Sequence, residues 1–117
     1  MSGVRDVGAH VEDMIDACEK ILLFTQGLDD ADILIETSPL WGSVLHHLVV
    51  MGEAAKHVPP AIQARRPQIN WRRIAGMRDK LVHYYFGVDA GLVINAVRQS
   101  VPEALPQLRS LLVELDA

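Results

Sequence analysis

Apolar residues return every three or four positions along almost the whole chain, and no stretch alternates with the period of two that a half-buried strand would show. A chain with that rhythm buries its apolar atoms by packing helices on one another. Val7, Val11, Met14, Ile15, Cys18, Ile21 and Leu22 mark the inward stripe of a first helix, predicted from about residue 4 to about residue 26. Gly27 suits its end, because glycine tolerates the left-handed conformation that closes helices. Asp29 and Asp30 suit the start of a short second helix running through about Glu36.

Thr37-Ser38-Pro39 is a strong start signal, with Ser38 able to cap and Pro39 at the first helical position. Trp41, Val44, Leu45, Leu48, Met51, Ala55 and Val58 form the inward stripe of the helix that follows. Pro59-Pro60 stops it, since proline lacks the N–H and its ring clashes with the preceding turn. A short helical turn through Arg65 is expected next, closed by Pro67. Asn70 caps a helix predicted from about Trp71 to about Phe86, with Gly87 ending it. Asp89 opens a last helix whose stripe runs Leu92, Val93, Ala96, Val97, Val101, Leu105, Leu108, Leu111 and Leu112. Pro102 and Pro106 are expected to kink or interrupt it near Ser100. The expected fold is all-α, a bundle of four main antiparallel helices with short extra helical turns.

A length of 117 residues, half of them apolar, fits one domain over residues 1–117 with a single core. The longest apolar candidates are broken by Gly52, Glu53 and Lys56, short of the ~18–20 residues a membrane span needs. No basic segment followed by an apolar run stands at the N-terminus, so no signal peptide is expected. The single cysteine, Cys18, falls on the apolar stripe of the first helix and reads as a small core residue. One cysteine forms no internal disulfide and fits a reducing cytoplasm.

The net charge of −4 hides an asymmetry. Residues 1–36 carry nine acids against Arg5 and Lys20. Residues 56–80 reverse this, with Lys56, Arg65, Arg66, Arg72, Arg73, Arg78 and Lys80 against Asp79 alone. The global charge argues against nonspecific coating of nucleic acid, but a local cationic patch can draw an anionic substrate to one place. Arg72 and Arg73 fall in the first turn of their helix, where the helix dipole is positive and cations are unfavourable. An anion bound there would make that arrangement easier to tolerate. Gly76, inside the same helix, costs roughly 1 kcal/mol relative to alanine and suggests close approach by another helix or by a ligand.

The run Arg78-Asp-Lys-Leu-Val-His83-Tyr84-Tyr85 concentrates a permanent cation, an imidazole and phenols within eight residues. Arginine binds a phosphate with two parallel hydrogen bonds, histidine moves protons near neutral pH, and a tyrosine ring offers a face for a base. RNA is cut without a metal when its own 2′-OH loses a proton to one group while another stabilises the charge building on phosphorus. His83 suits proton transfer, worth ~10²–10⁴ in rate, and Arg78 suits the electrostatic clamp. No carboxylate cluster suggests a two-metal nuclease.

Arg78-x4-His83-x-Tyr85 matches the Arg-x4-His-x-Tyr pattern of HEPN domains, the higher eukaryote and prokaryote nucleotide-binding family. The longer string from Ile74 to Asp89 resembles the HepT-like branch, as do Met51-Gly-Glu-Ala-Ala-Lys56, the Pro-bounded turn and Trp71. The resemblance spans nearly the whole chain. It implies an all-α HEPN bundle, usually a homodimer, with Arg78 and His83 carrying metal-independent ribonuclease activity and no cofactor. It also implies a toxin paired with a small nucleotidyltransferase antitoxin, which silences it by transferring AMP onto the motif tyrosine, here Tyr85. Tyr84 stands beside it as a second phenol. Asp79 occupies a position where the family has Asn or Asp.

The helical spacing adds a constraint of its own. His83 is five residues from Arg78, about 140° round the helix and roughly 7.5 Å along it, whereas Tyr85 at seven residues would share the Arg78 stripe. In one straight helix Arg78 and His83 converge poorly on one phosphate, so a composite cleft between two motif helices at a twofold interface is expected. Glu53 is read as the partner of a buried or interfacial cation, Arg78 among the candidates, with Asp79, Lys80, Arg72 and Arg73 as supporting or RNA-binding residues. Trp41 and Trp71 read as core or interface anchors. His46, His47, Glu53 and His57 invite a metal reading, but their spacing offers no compact three-ligand zinc set, so no metal site is expected. The competing functions are a HEPN module that binds a nucleotide or nucleotidyltransferase without cutting RNA, and a structural helical adaptor.

Overall fold

The computed structural model describes residues 6–84 and 87–117, and within them it is helical with no strand. Helix α1 (Val7–Thr25) starts from Asp6, whose side chain accepts the Gly8 N–H at 3.3 Å. It is followed by Gly27 at φ +75°, the left-handed turn expected there. Helix α2 (Asp30–Ile33) is a single turn held by a reciprocal capping box between Asp29 and Asp32. It ends short of Glu36 because the chain turns again at once, with the Ser38 N–H bonded to the Ile35 carbonyl. Pro39 keeps Ser38 extended, ready to cap the next helix.

Helix α3 (Pro39–Lys56) begins at Ser38 and Pro39 as expected. Its open end is closed from outside, since the Gln63 side-chain amide donates to the carbonyls of Ala55 and Val58. Gln63 belongs to α4 (Pro60–Gln63), the short turn between the prolines. Helix α5 (Trp71–His83) is capped by the Asn70 side chain on the Arg73 N–H. It stops at His83, three residues before the expected Phe86. Leu81 is its last buried residue, and Val82, His83 and Tyr84 are all exposed, so no packing carries the helix further. Tyr84 leaves helical geometry at φ −123°, ψ 38°, and its carbonyl accepts the Gly87 N–H.

Asp89 caps α6 (Ala90–Asn95) through the N–H groups of Gly91 and Leu92. A π-helical turn, Ala96–Ser100, joins it to α7 (Val101–Asp116). The interruption falls where Pro102 implied it. Proline has no N–H and its ring crowds the carbonyl four residues back, and the wider π turn accommodates both. Pro106 is carried inside α7.

Helix α3 lies between α1 and α5, while the opposite side of α1 packs on α7. Helix α1 runs antiparallel to both α3 and α7. Near one end of α1 the ring of His10 stacks on His57 of α3; in the middle Cys18 Sγ meets Met51 Sδ at 3.7 Å; near the other end Phe24 meets His47 edge-on. Along α1 and α7, Glu19 pairs with Arg109 at 2.8 Å while Gly8 lies close to Asp116. The core between these helices includes Met14, Ile21, Leu48, Met51, Leu108 and Leu111, all fully buried. Each such side chain contributes ~1.5–3 kcal/mol by leaving water. Trp41 and Trp71 are core anchors as expected, and the Trp71 indole N–H donates to the Arg66 carbonyl. Among the described residues no helix is long and apolar enough to cross a membrane.

Candidate active site on the motif helix

Helices α3 and α5 approach closely at Gly52. A Cβ there would stand 2.4 Å from Arg78 Cβ and 2.8 Å from the Ile74 carbonyl oxygen, far inside van der Waals contact. Gly76 has nothing within 4 Å of where its Cβ would be. Of the two alternatives expected for Gly76, the close approach of a helix occurs instead at Gly52, on the inner face of α3, whereas Gly76 opens onto a surface groove with room for a ligand.

That contact brings the residue after Gly52 to the motif arginine. Glu53 Oε1 lies 3.1 Å from Arg78 Nε. The two charges attract, but Nε itself is buried and makes no hydrogen bond among the described residues. Arg78 Nη1 donates to Asp79 Oδ1 at 3.2 Å, and Lys56 Nζ, from the end of α3, donates to the same oxygen. The hydrogen bond from Lys56 holds the Asp79 carboxyl below the ordinary carboxylate range; desolvation opposes it, and the hydrogen bond from Arg78 adds to the lowering. Two carboxylates thus fix the guanidinium from two sides. A guanidinium held in this way has further N–H groups with which to donate to a phosphoryl oxygen.

Glu53 has a second contact, with His57 Nε2 3.5 Å from its Oε2. The His57 ring stacks on His10 with centroids 4.7 Å apart and planes 14° from parallel. Glu53 and His57 stand one turn apart in the sequence, whereas His10 joins them from α1. The signal for that pairing lay in the antiparallel match of α1 with α3, which no local pattern reveals. Among the described residues no three His, Cys, Asp or Glu side chains come together as a metal-ligand set. His46 and His47 instead meet edge-on, and His47 Nδ1 lies 2.7 Å from the Ser43 carbonyl.

His83 is the last residue of α5 and is exposed. The structure does not bring it to Arg78, which faces α3; five residues of helix separate them, about 140° in direction. Arg72, Arg73 and Lys80 lie along the outer side of α5 and line an open groove with Gly76. Tyr84 is the exposed residue just beyond the helix. Tyr85 lies outside the described residues, and with it the stripe expected to join Arg78 and Tyr85.

A bundle of this kind, with an arginine braced on its inner face and a histidine five residues later, fits the resemblance noted in the motif. The profile of the family described as "Ribonuclease HepT-like" matches residues 14–111, which takes in α1 through most of α7. The chain belongs to the HepT-like ribonuclease family. Among its relatives is a protein of Methanocaldococcus jannaschii named "Putative RNase", 33% identical over 112 residues that cover 96% of each chain. A protein of Thermococcus cleftensis named "Probable ribonuclease HepT" is 37% identical over 93 residues, covering 80% of this chain and 84% of its own. No solved structure matches the chain significantly. The HepT-like match contains every element that builds the Arg78 site, including Gly52, Glu53, Lys56 and Asp79.

Proposed function

We propose that this chain is a metal-independent endoribonuclease in which Arg78 and His83 are the catalytic residues. The observation that carries the reading is the bracing of Arg78 by Glu53 and Asp79, in a HepT-like chain whose exposed His83 closes the same helix. A guanidinium held by two carboxylates keeps its orientation before substrate arrives, which is what electrostatic catalysis requires. In the reaction a base, His83, takes the proton of a ribose 2′-OH. The oxygen attacks the adjacent phosphorus, Arg78 balances the charge on the phosphoryl oxygens, and the 5′-oxygen leaves with a proton. The products are a 2′,3′-cyclic phosphate and a 5′-hydroxyl. Glu53 and Asp79 are positioning residues in this scheme, acting through Arg78.

Because Arg78 and His83 diverge on one helix, each complete site combines Arg78 of one chain with His83 of a second in a homodimer. The chain is the toxin of a two-gene pair, and its cognate nucleotidyltransferase antitoxin silences it. In that step the Tyr85 phenol oxygen attacks the α-phosphorus of ATP, forming an O–P bond and releasing pyrophosphate. An AMP on Tyr85 would add bulk and negative charge two residues from His83, repelling the phosphodiester.

The experiment uses mixed dimers of Arg78→Ala and His83→Ala chains, with subunit exchange confirmed. Recovery of cleavage, with cyclic phosphate ends on the fragments, is expected. Inactivity of the mixture beside an active wild type would refute the shared site. Intact RNA with the wild type itself would favour a HEPN module that binds without cutting. For the tyrosine, intact mass after incubation with ATP, magnesium and the antitoxin is expected to show added adenylyl groups that disappear in Tyr85→Phe; their persistence would move the assignment to Tyr84 or elsewhere.

A further inference from the structure

Of the seven cations between residues 56 and 80, Lys56, Arg66 and Arg78 are each paired with a carboxylate. Arg72 and Lys80 have no ion pair among the described residues, and Arg73 reaches only the neutral Asn95 side chain, at 2.6 Å. These three line an open groove of about 470 Å³ between α5 and the start of α6, with Leu92 on its far wall. The Arg73–Asn95 bond ties the two walls together. Gly76 forms part of the floor, and the space above it is empty of protein.

The positions along the helix order this charge. Arg72, Gly76, Lys80 and His83 fall within about 80° of one another around α5 and span about 16 Å of its length. The basic groove therefore runs towards His83 and away from the face that carries Arg78. Next to it, sharing Lys80 and Leu92, lies a smaller and mostly apolar cleft of about 170 Å³, bordered by Leu81, Val88 and the exposed Tyr84. The one carboxylate on its border, Asp89, is engaged in capping α6. No acid stands in the first turn of α5 to offset Arg72 and Arg73 against the positive end of the helix dipole. Unpaired cations in file beside an apolar slot with an aromatic edge are the features by which proteins hold single strands, through backbone charge and base stacking.

We infer that the α5–α6 groove is a binding track for single-stranded RNA, with Arg72, Arg73 and Lys80 on successive phosphates and a base lodged in the cleft at Tyr84. The track rests on the ribonuclease reading for the identity of its ligand, and it delivers the strand to His83. It lies outside the residues that brace Arg78, so binding and cleavage are separable.

The probe is a short fluorescein-labelled oligoribonucleotide carrying 2′-O-methyl groups, which has no 2′-OH to react. Its affinity for the full chain is measured by anisotropy across a salt series. Arg72→Ala/Lys80→Ala is expected to weaken binding on the order of tenfold and to reduce the log–log salt slope by about 1.4, at ~0.7 per single-strand phosphate contact. Gly76→Glu, which has room for its side chain and puts a carboxylate into the groove, is expected to weaken binding as well. Lys20→Ala/Arg65→Ala removes the same charge elsewhere and serves as the comparison. Equal affinity and slope for the groove pair and this comparison pair would overturn the track, as would tighter binding of a double-stranded competitor. His83→Ala is expected to bind like the wild type. Groove-dependent binding by a wild type that cuts no RNA would sink the nuclease reading and leave the track standing. Cleavage with groove variants that bind like the comparison pair would do the reverse.

Discussion

Gly52 sits inside α3 and Gly76 inside α5, and alanine at each should have opposite consequences. At Gly52 the new methyl would lie 2.4 Å from Arg78 Cβ and 2.8 Å from the Ile74 carbonyl oxygen. Neither atom can rotate away, since one is backbone and the other is fixed to it. Carbon atoms pack at ~3.5–4.0 Å, so α5 must retreat from α3 by about 1 Å or more. Overpacking of that kind costs about 1–3 kcal/mol, offset in part by the ~1 kcal/mol that alanine gains over glycine in a helix. Gly52→Ala should therefore destabilise by up to about 2 kcal/mol. Gly76→Ala meets nothing within 4 Å and should stabilise by ~0.5–1 kcal/mol. The retreat also pulls Arg78 from Glu53, and a displacement near 1 Å can lower turnover by ~10²-fold. Urea unfolding of both variants, with RNA cleavage rates below the transition, gives the comparison. Equal stabilisation by the two substitutions, or full activity in a stably folded Gly52→Ala, would refute the claim that this contact sets the site.

Three further outcomes follow from the same geometry. Glu53→Gln keeps the side-chain shape but removes the charge beside the buried Arg78 Nε, so the cleavage rate is expected to fall by about tenfold with little change in RNA affinity; unchanged turnover would remove Glu53 from its positioning role. The Asp79 carboxyl is expected to titrate below the ordinary range by NMR and to rise in Lys56→Ala. Its contribution to stability is present above the unfolded carboxylate value and is lost as pH falls through the lowered folded one; an ordinary titration in the wild type would contradict this. Burial pushes the Cys18 thiol up from 9.0 to about 12, so iodoacetamide should leave it unmodified at neutral pH in the folded protein and label it in urea. Because the folded value is raised, that contribution to stability is intact below pH 9 and is lost as pH rises towards 12. Rapid labelling under native conditions would contradict the burial.

Caps and stripes made most of the fold legible in the residues themselves. Ser38-Pro39, Asn70 and Asp89 act locally, through one side chain and one or two N–H groups, and each begins a helix where it was expected to. The pairing of Glu53 with Arg78 was also within reach, since a partly buried arginine needs a carboxylate and few stood on the neighbouring stripe. The end of α5 was not. Tyr84 continues the helical pattern on paper, but tertiary burial is what holds a further turn, and Val82, His83 and Tyr84 are all exposed. Which of Gly52 and Gly76 admits a neighbouring helix was not legible locally, because a glycine's purpose depends on what lies across the interface. The stacking of His10 on His57 depends likewise on how α1 and α3 run past each other. The widening of the backbone at Ala96–Ser100 was foreshadowed by Pro102, although its form as a π turn was not.

The central claim is that Arg78 and His83 cut RNA without a metal. Its most direct test is single-turnover cleavage of a labelled RNA in excess EDTA by the wild type, Arg78→Ala and His83→Ala, each shown by circular dichroism to be folded. The expected result is cleavage by the wild type that survives the chelator and falls by ~10²-fold or more in each variant. Wild-type cleavage abolished by EDTA, or a folded His83→Ala that cuts at the wild-type rate, would contradict it.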